Sequence, residues 1–451
     1  MYKYQSLAVE IENQILNHKF QQSEKLPSIS QLAKQKHCSK ETIIKAYQEL
    51  EKKHLIYAKA QSGYYVADGL LKPQIESHVF SLETGNPIVA ASSLVDAKHC
   101  LSIAIEQYSQ SSLNISLQGV ESLREILPDF LANMGIYTQK DSVYLIQGVT
   151  QMLSFLSTMT FPNHHSYILI EEPTYSYYIQ FLKTTKLPIL TIQRDEQGID
   201  LKELKRLFEN YDIKFFYTIP RNHNPLGTTL DSLTRQKIAE LALKYNVYII
   251  EDDYFGHCSY SPRYLPIYYY MEGKNCIYLT SFSKTIPYIR IGICVIHPQF
   301  QETFKQVMHQ SYYYSYQLPS LISQATLESY LRSSLYQKQI QPLLHQLKKN
   351  YRVIKKITQD WDKSIVKMIS SYSGYYLSLQ FSPDIDIDDL QEKLNEENIM
   401  IARNERCFYL PEHFNHSIRI SLARINPSTL QNVLPLLYQM ILQTYKKTEK
   451  Q

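Results

Sequence analysis

The stretch "SFSKTIPYIRIG", Ser281 to Gly292, decides the reading of most of this chain. It comes after an apolar run, "CIYLT" (276–280), of strand character, and sets Lys284 at the mouth of that strand, among hydroxyls and shortly before Arg290. Five further runs of the same kind lie along the chain: "VYLI" (143–146), "SYILI" (166–170), "KFFYTI" (214–219), "NVYII" (246–250) and "IGICVI" (291–296). Helical stretches separate them. Strands alternating with helices predict a mainly parallel sheet covered on both faces. Chemistry then belongs at the carboxyl ends of the strands.

The residues just past each strand are polar and specific. "QGVTQ" (147–151) opens a helix after "VYLI"; Gly148 lets the backbone turn tightly, and free N–H groups there suit a phosphate. "EEPTY" ends on Tyr175, "PRNHNPLG" (220–227) holds Asn224, and "EDDY" holds Asp252 and Tyr254. "SFSK" supplies Ser281, Ser283 and Lys284. Five strand ends thus offer a phosphate cradle, an aromatic face, an amide, a carboxylate with a phenol, and a lysine. Singly, an "SxSK" or an "NPxG" is a common turn. The set, in this order, is specific.

Composition fits that architecture. The chain has 451 residues, enough for two or three domains, and is 44% apolar and 20% charged. No apolar run is long enough to cross a bilayer, and the first residues show no signal peptide. The six cysteines lack CxxC spacing and read as core thiols of a reducing cytoplasm; no metal site is expected. Glycine is scarce, 12 where average usage near 7% gives roughly 30. A net charge of +4 excludes little, and the 38 tyrosines suggest no function by themselves.

The strand-end set resembles the fold-type I pyridoxal-phosphate enzymes, specifically class I aminotransferases. The resemblance implies that Lys284 carries the cofactor as a Schiff base and that Asp252 keeps the pyridine nitrogen protonated. It implies that Asn224 and Tyr254 hold the ring's phenolic oxygen and that Tyr175 stacks on the ring. Val149, Thr150, Ser281, Ser283 and Arg290 would hold the phosphate. "QGVESLREIL" (118–127), "SYSGYYLSL" (371–379) and "SIRISLAR" (417–424) extend the match, with Arg419 in the place of the substrate-carboxylate arginine. Two departures stand out. The spacing from Lys284 to Arg290 is one residue shorter than usual, and Gln147 replaces a small hydroxyl residue. Altered phosphate geometry is expected from both.

Residues 1–68 carry a separate pattern. "SLAVEIENQILNH" is amphipathic, with Leu7, Ile11, Ile15 and Leu16 on one face. Ser28 and Ser39 are placed to cap two successive helices, and "HLIYAKAQSGYYVAD" reads as two strands about Ser62–Gly63. This is a winged helix-turn-helix plan and it resembles the GntR-type DNA-binding domain. The resemblance implies a helix from Ser39 in the major groove, with Lys40 and Thr42 on bases or phosphate and Lys45 on phosphate. Lys59 and Gln61 on the wing would reach the neighbouring DNA backbone, and Gly63 of the wing, Ser28 of the "LPS" element and Ser39 complete the DNA-binding set. Ser30 stands where the family often has arginine, so the operator sequence does not carry over.

The expected organisation is therefore a DNA reader at 1–68, a short join at 69–79, and an α/β aminotransferase-like domain at 80–445 with a small C-terminal α/β subdomain from about 335. That architecture is similar to the MocR subfamily of bacterial regulators. The resemblance implies a cytoplasmic homodimer on double-stranded operator DNA, responding to pyridoxal 5'-phosphate or its adduct with an amino-acid-like effector, with no membrane role. Two other functions stay open: a working aminotransferase with an accessory DNA-binding module, and a DNA binder whose large domain only dimerises.

Overall fold

The computed structural model describes residues 3–16, 19–20, 23–53, 55–59, 62–67, 79–87, 99–106, 116–258, 264–315, 318–333 and 335–448. It divides into two units, Met1–Val79 and Phe80–Gln451. Apart from Val79, the join and the wing residue Gln61 lie outside the described residues.

In the first unit, helix Lys3–Leu16 buries Leu7, Ile11 and Ile15 in one core with helices Ile29–Gln35 and Lys40–Lys52, both other helices packing on Lys40–Lys52. Ser28 caps the second helix as a full capping box with Gln31, and Ser39 caps the third by accepting from the Thr42 amide. Tyr47 is fully buried and donates to the Pro27 carbonyl at 2.7 Å, which fixes the turn before the helix pair. Strands β1 (Ile56–Lys59) and β2 (Gly63–Val66) form the antiparallel wing.

The second unit opens with β3 (Phe80–Ser81). Its large sheet uses β4 (Val143–Ile146), β5 (Tyr167–Glu172), β6 (Ile189–Asp195), β7 (Gly198–Ile199), β8 (Ile213–Thr218), β9 (Tyr248–Asp252), β10 (Cys276–Ser281) and β11 (Gly292–Ile296). The order is β4-β11-β10-β9-β8-β5-β6-β7. The runs β4, β8, β9, β10 and β11 are buried at every position, as strands covered on both faces must be. β11 is antiparallel to both neighbours, so β4, β5, β8, β9 and β10 all aim their carboxyl ends the same way.

A second sheet holds β12 (Val366–Ile369), β13 (Tyr376–Phe381), β15 (Ala402–Arg403) and β16 (Ser417–Ser421), and β14 (Ile399–Met400) pairs in parallel with β3. The long helices Leu335–Thr358 and Pro427–Thr448 pack on one another beside it. Gly227 joins the sheets. Its φ is +70°, and a Cβ there would meet the Tyr376 carbonyl oxygen at 2.0 Å.

Candidate functional site

Strand register builds the site. Leu279 of β10 pairs with Asp252 at the end of β9, so the turn Phe282–Lys284 leaves the sheet beside that carboxylate. Tyr217 of β8 pairs with Ile250 and donates to Asp252 Oδ2 at 2.8 Å. Asp252 is 3% exposed, and its Oδ1 has no partner. Burial pushes its carboxyl up to about 7, against the smaller opposing pull of the Tyr217 hydroxyl. Its neighbour Asp253 is tied off structurally, by Arg221 and by Tyr278 at 2.8 Å.

Lys284 is half-buried, and its carbonyl accepts from the Tyr375 hydroxyl at 2.8 Å, which fixes its backbone. Ser281 Oγ accepts from the Ser283 amide at 3.2 Å and lies 3.1 Å from the Ser283 hydroxyl. Gly148 precedes helix Val149–Thr158 and gives it no side-chain cap, so the first amides stay open to an anion. Thr150 Oγ1 and the Tyr175 hydroxyl lie 3.0 Å apart. Arg290 is exposed and makes no hydrogen bond or ion pair among the described residues; its φ of +39° is unusual for a side-chain-bearing residue. Gln147 reaches sideways and donates to the Leu318 carbonyl at 3.0 Å.

Asn224 and Tyr254 serve neighbours here. Tyr254 donates to the Asn222 carbonyl at 2.7 Å, and Asn224 Oδ1 accepts from Arg419 Nη1 at 2.8 Å. Arg419 lies on β16 with its guanidinium 4.5 Å above the Tyr376 ring. Beneath this loop, Glu171 is held by Arg194, Thr218, the Ile219 amide and His223; despite its burial, which opposes ionisation, Arg194 and His223 bring its carboxyl down to about 2. That network anchors the chain that carries Asn224.

Four contributors escape a reading of motifs. Tyr217 reads as one more core aromatic of "KFFYTI" until register places it on Asp252. Tyr376 sits under Arg419; burial favours its neutral phenol, but Lys284 and Arg419 outweigh it and bring the group below its ordinary pKa. Gly85 presses so close that a Cβ would lie 1.8 Å from the Tyr376 oxygen. Asn86 places Oδ1 3.5 Å from Lys284 Nζ. The short "ETGNP" stretch is the one available signal, since this chain spends glycine sparingly.

In the first unit, Lys40, Lys45, Lys59 and Gly63 are exposed and Thr42 is half-buried. Lys45 pairs with Glu41 at 3.1 Å, one turn away, and Lys59 lies 5.9 Å from the Tyr65 ring centre. Exposed Ser28 and Ser39 accept cap hydrogen bonds through their oxygens, and the Ser39 hydroxyl also lies 2.9 Å from that of Thr42. Among the described residues no group of acids, histidines or cysteines is arranged to hold a metal, and no helix is long and apolar enough to cross a membrane.

The donor set fits pyridoxal phosphate. A buried carboxyl with one open oxygen suits a protonated ring nitrogen, the amine stands on the turn that follows the adjacent strand, and open amides, hydroxyls and a free guanidinium suit a phosphate.

Comparison with known proteins places both units in known families. Residues 77–436 match the model of aminotransferase class I and II, and residues 3–66 match that of bacterial regulatory proteins of the gntR family. The HTH-type transcriptional regulator YcxD of Bacillus subtilis is 37% identical over 344 residues, covering 74% of this chain and 76% of that protein. The HTH-type transcriptional regulator NorG of Staphylococcus aureus is 27% identical over 450 residues, 92% of this chain and 99% of its own. Among solved structures, a multiple substrate aminotransferase from Thermococcus profundus superposes with a TM-score of 0.71 at 20% identity, over 82% of this chain and 93% of that one. LysN of Thermus thermophilus, an α-aminoadipate aminotransferase complexed with N-(5'-phosphopyridoxyl)-L-leucine, gives 0.70 at 18%, over the same shares of the two chains. The chain belongs to the aminotransferase class I and II family through its large unit and to the gntR family of bacterial regulatory proteins through its N-terminal unit. That pairing is the MocR arrangement.

Proposed function

We propose that this protein is a cytoplasmic transcription regulator that binds operator DNA through its winged helix and changes operator affinity with the state of its large unit. In this reading it acts as a homodimer, so two readers meet paired half-sites. Helix Lys40–Lys52 enters the major groove while Lys59 and Gly63 flank the backbone.

Lys284 would hold pyridoxal phosphate through its amine, Asp252 would balance the charge of the ring nitrogen, and Tyr175 would pack against the ring. The amides of Val149 and Thr150, with Ser281, Ser283 and Arg290, would take the phosphate. When bound, the cofactor supplies an electron-withdrawing ring to an attached amine. Tyr217 fixes the orientation of Asp252, and burial excludes water from it. Arg419, steadied by Asn224 and Tyr376, takes the carboxylate of an amino-acid-like effector as a planar fork.

The observation that carries this reading is the open Oδ1 of buried Asp252 beside Lys284. An absorbance spectrum of the purified protein, before and after borohydride, tests it. A violet band abolished by reduction, with the added mass on Lys284, supports the reading; no trapped cofactor refutes it. Because Lys284, Asp252 and Arg419 are all present, transaminase turnover is the second reading. Steady keto-acid formation from an amino donor separates the two.

A further inference from the structure

The segment Glu83–Asn86 crosses the site and holds its cations. Arg419 donates one N–H to the Glu83 carbonyl at 2.5 Å and another to Asn224 Oδ1 at 2.8 Å. Its Nε is buried without a partner, and no carboxylate pairs with it among the described residues. The guanidinium therefore faces neutral acceptors only, where a carboxylate would bind more strongly. Asn86 Oδ1 lies 3.5 Å from Lys284 Nζ, and Arg424 Nε donates to the Asn86 carbonyl at 2.9 Å. The Gly85 backbone fills the space between: a Cβ there would sit 1.8 Å from the Tyr376 oxygen and 3.1 Å from Lys284 Nζ.

The same segment continues β3, where the chain enters the large unit at Phe80. β3 is two residues long and, among the described residues, pairs with β14 alone. The Phe80 amide donates to the Asn398 carbonyl at 2.8 Å, the Leu82 amide to the Met400 carbonyl at 2.8 Å, and the Leu82 carbonyl accepts from the Ser421 amide at 2.7 Å. So short a strand depends on what anchors its end.

We propose that Glu83–Asn86 is an internal stand-in for the ligand, its Glu83 carbonyl on Arg419 and its Asn86 amide beside Lys284, and that an α-amino carboxylate displaces it and loosens β3. The proposal rests on the reading of Arg419 and Lys284 as the ligand site. A ligand shifts such an equilibrium only by its preference for one state, and here that preference is a carboxylate replacing a carbonyl on the same guanidinium. β3 begins where the chain enters the large unit, so the release reaches the start of that unit at Phe80.

Amide hydrogen exchange on the full-length, cofactor-loaded protein tests this. Without ligand, Arg419→Ala should speed exchange at Phe80 and Leu82 roughly ten- to a hundred-fold, the effect of losing a bond to a charged donor. Gly85→Ala should do the same by driving the segment off the Tyr376 oxygen, and it decides the point if Arg419→Ala fails to fold. Amides of β8 and β9 should not change in either variant and report folding. In the wild type, acetate and L-alanine, as a bare carboxylate and a minimal α-amino carboxylate, should speed the same two amides, alanine more than acetate. Wild-type exchange rates in both folded variants overturn the proposal. So does a wild type that neither probe accelerates while a variant is accelerated. Failure of the cofactor reading shows elsewhere, as absent borohydride trapping.

Discussion

Tyr217 donates its phenolic hydrogen to Oδ2 of Asp252 at 2.8 Å, while Oδ1 of the same buried carboxylate faces no partner. One oxygen is spent on orientation and the other is kept for something cationic. Burying a carboxylate half-satisfied costs stability, so the fold holds here a group suited to a ligand rather than to itself.

That cost has a pH signature. Burial raises the Asp252 carboxyl from 3.8 to about 7, so the cofactor-free fold binds this proton more tightly than the unfolded chain does. The contribution to stability is full below the lower value and is lost as pH rises through the upper one. Asp252→Asn should therefore melt higher than the wild type above pH about 7, and the gain should shrink to nothing near pH about 4. Subtracting the two melting curves removes Glu251, which burial also raises to about 7. Added pyridoxal phosphate should reverse the order, because an amide cannot balance a cationic ring nitrogen. A pH-independent difference between the two proteins contradicts the assignment.

Lys284→Ala should abolish trapping of pyridoxal phosphate by borohydride, read as loss of the added mass on the peptide spanning Ser281 to Arg290. Only a primary amine forms the reducible link. The fold should survive, since the Lys284 carbonyl and not its side chain receives the Tyr375 hydroxyl. Equal trapping in the variant would show that another lysine carries the cofactor.

The DNA prediction concerns salt. Lys40 and Lys45 are exposed on the helix capped by Ser39. Removing both should weaken operator binding and flatten the slope of log affinity against log salt by about two at most. Lys45 already pairs with Glu41 at 3.1 Å, so its share should be the smaller one. An unchanged slope places the phosphate contacts on other residues.

Much of the fold and of the site is legible in the sequence, for identifiable reasons. Strands such as "CIYLTS" and "IKFFYT" are buried throughout and announce themselves as apolar runs. Ser28 and Ser39 are short hydroxyl residues ahead of apolar periodicity, and both act as caps. Strand β6 escapes such a reading because it mixes buried and exposed positions, Arg194 among them, and its arginine is buried on Glu171. Gly85 and Tyr376 meet only through tertiary packing of distant segments, which no local pattern records. Five of the 38 tyrosines have a visible use around the site. Tyr217, Tyr254, Tyr278, Tyr351 and Tyr375 bury their rings and donate to carboxylates or carbonyls around the site, so they pack and tether at once.

Operator affinity measured on the full-length protein tests the central claim most directly. The duplex would be selected from genomic fragments by the protein itself, then titrated with and without pyridoxal phosphate and a panel of amino acids, for wild type and Arg419→Ala. The account predicts a shift in wild-type affinity of roughly 5- to 150-fold under at least one condition, the range usual for coupling between sites. Arg419→Ala should lose the amino-acid response yet keep its trapped cofactor, because Arg419 touches Asn224, Glu83 and Tyr376 and not Lys284. By linkage the operator duplex must change ligand affinity by the same factor. Wild-type affinity that no condition moves, alongside steady transamination, would contradict the account and make this chain an enzyme with a DNA-binding module.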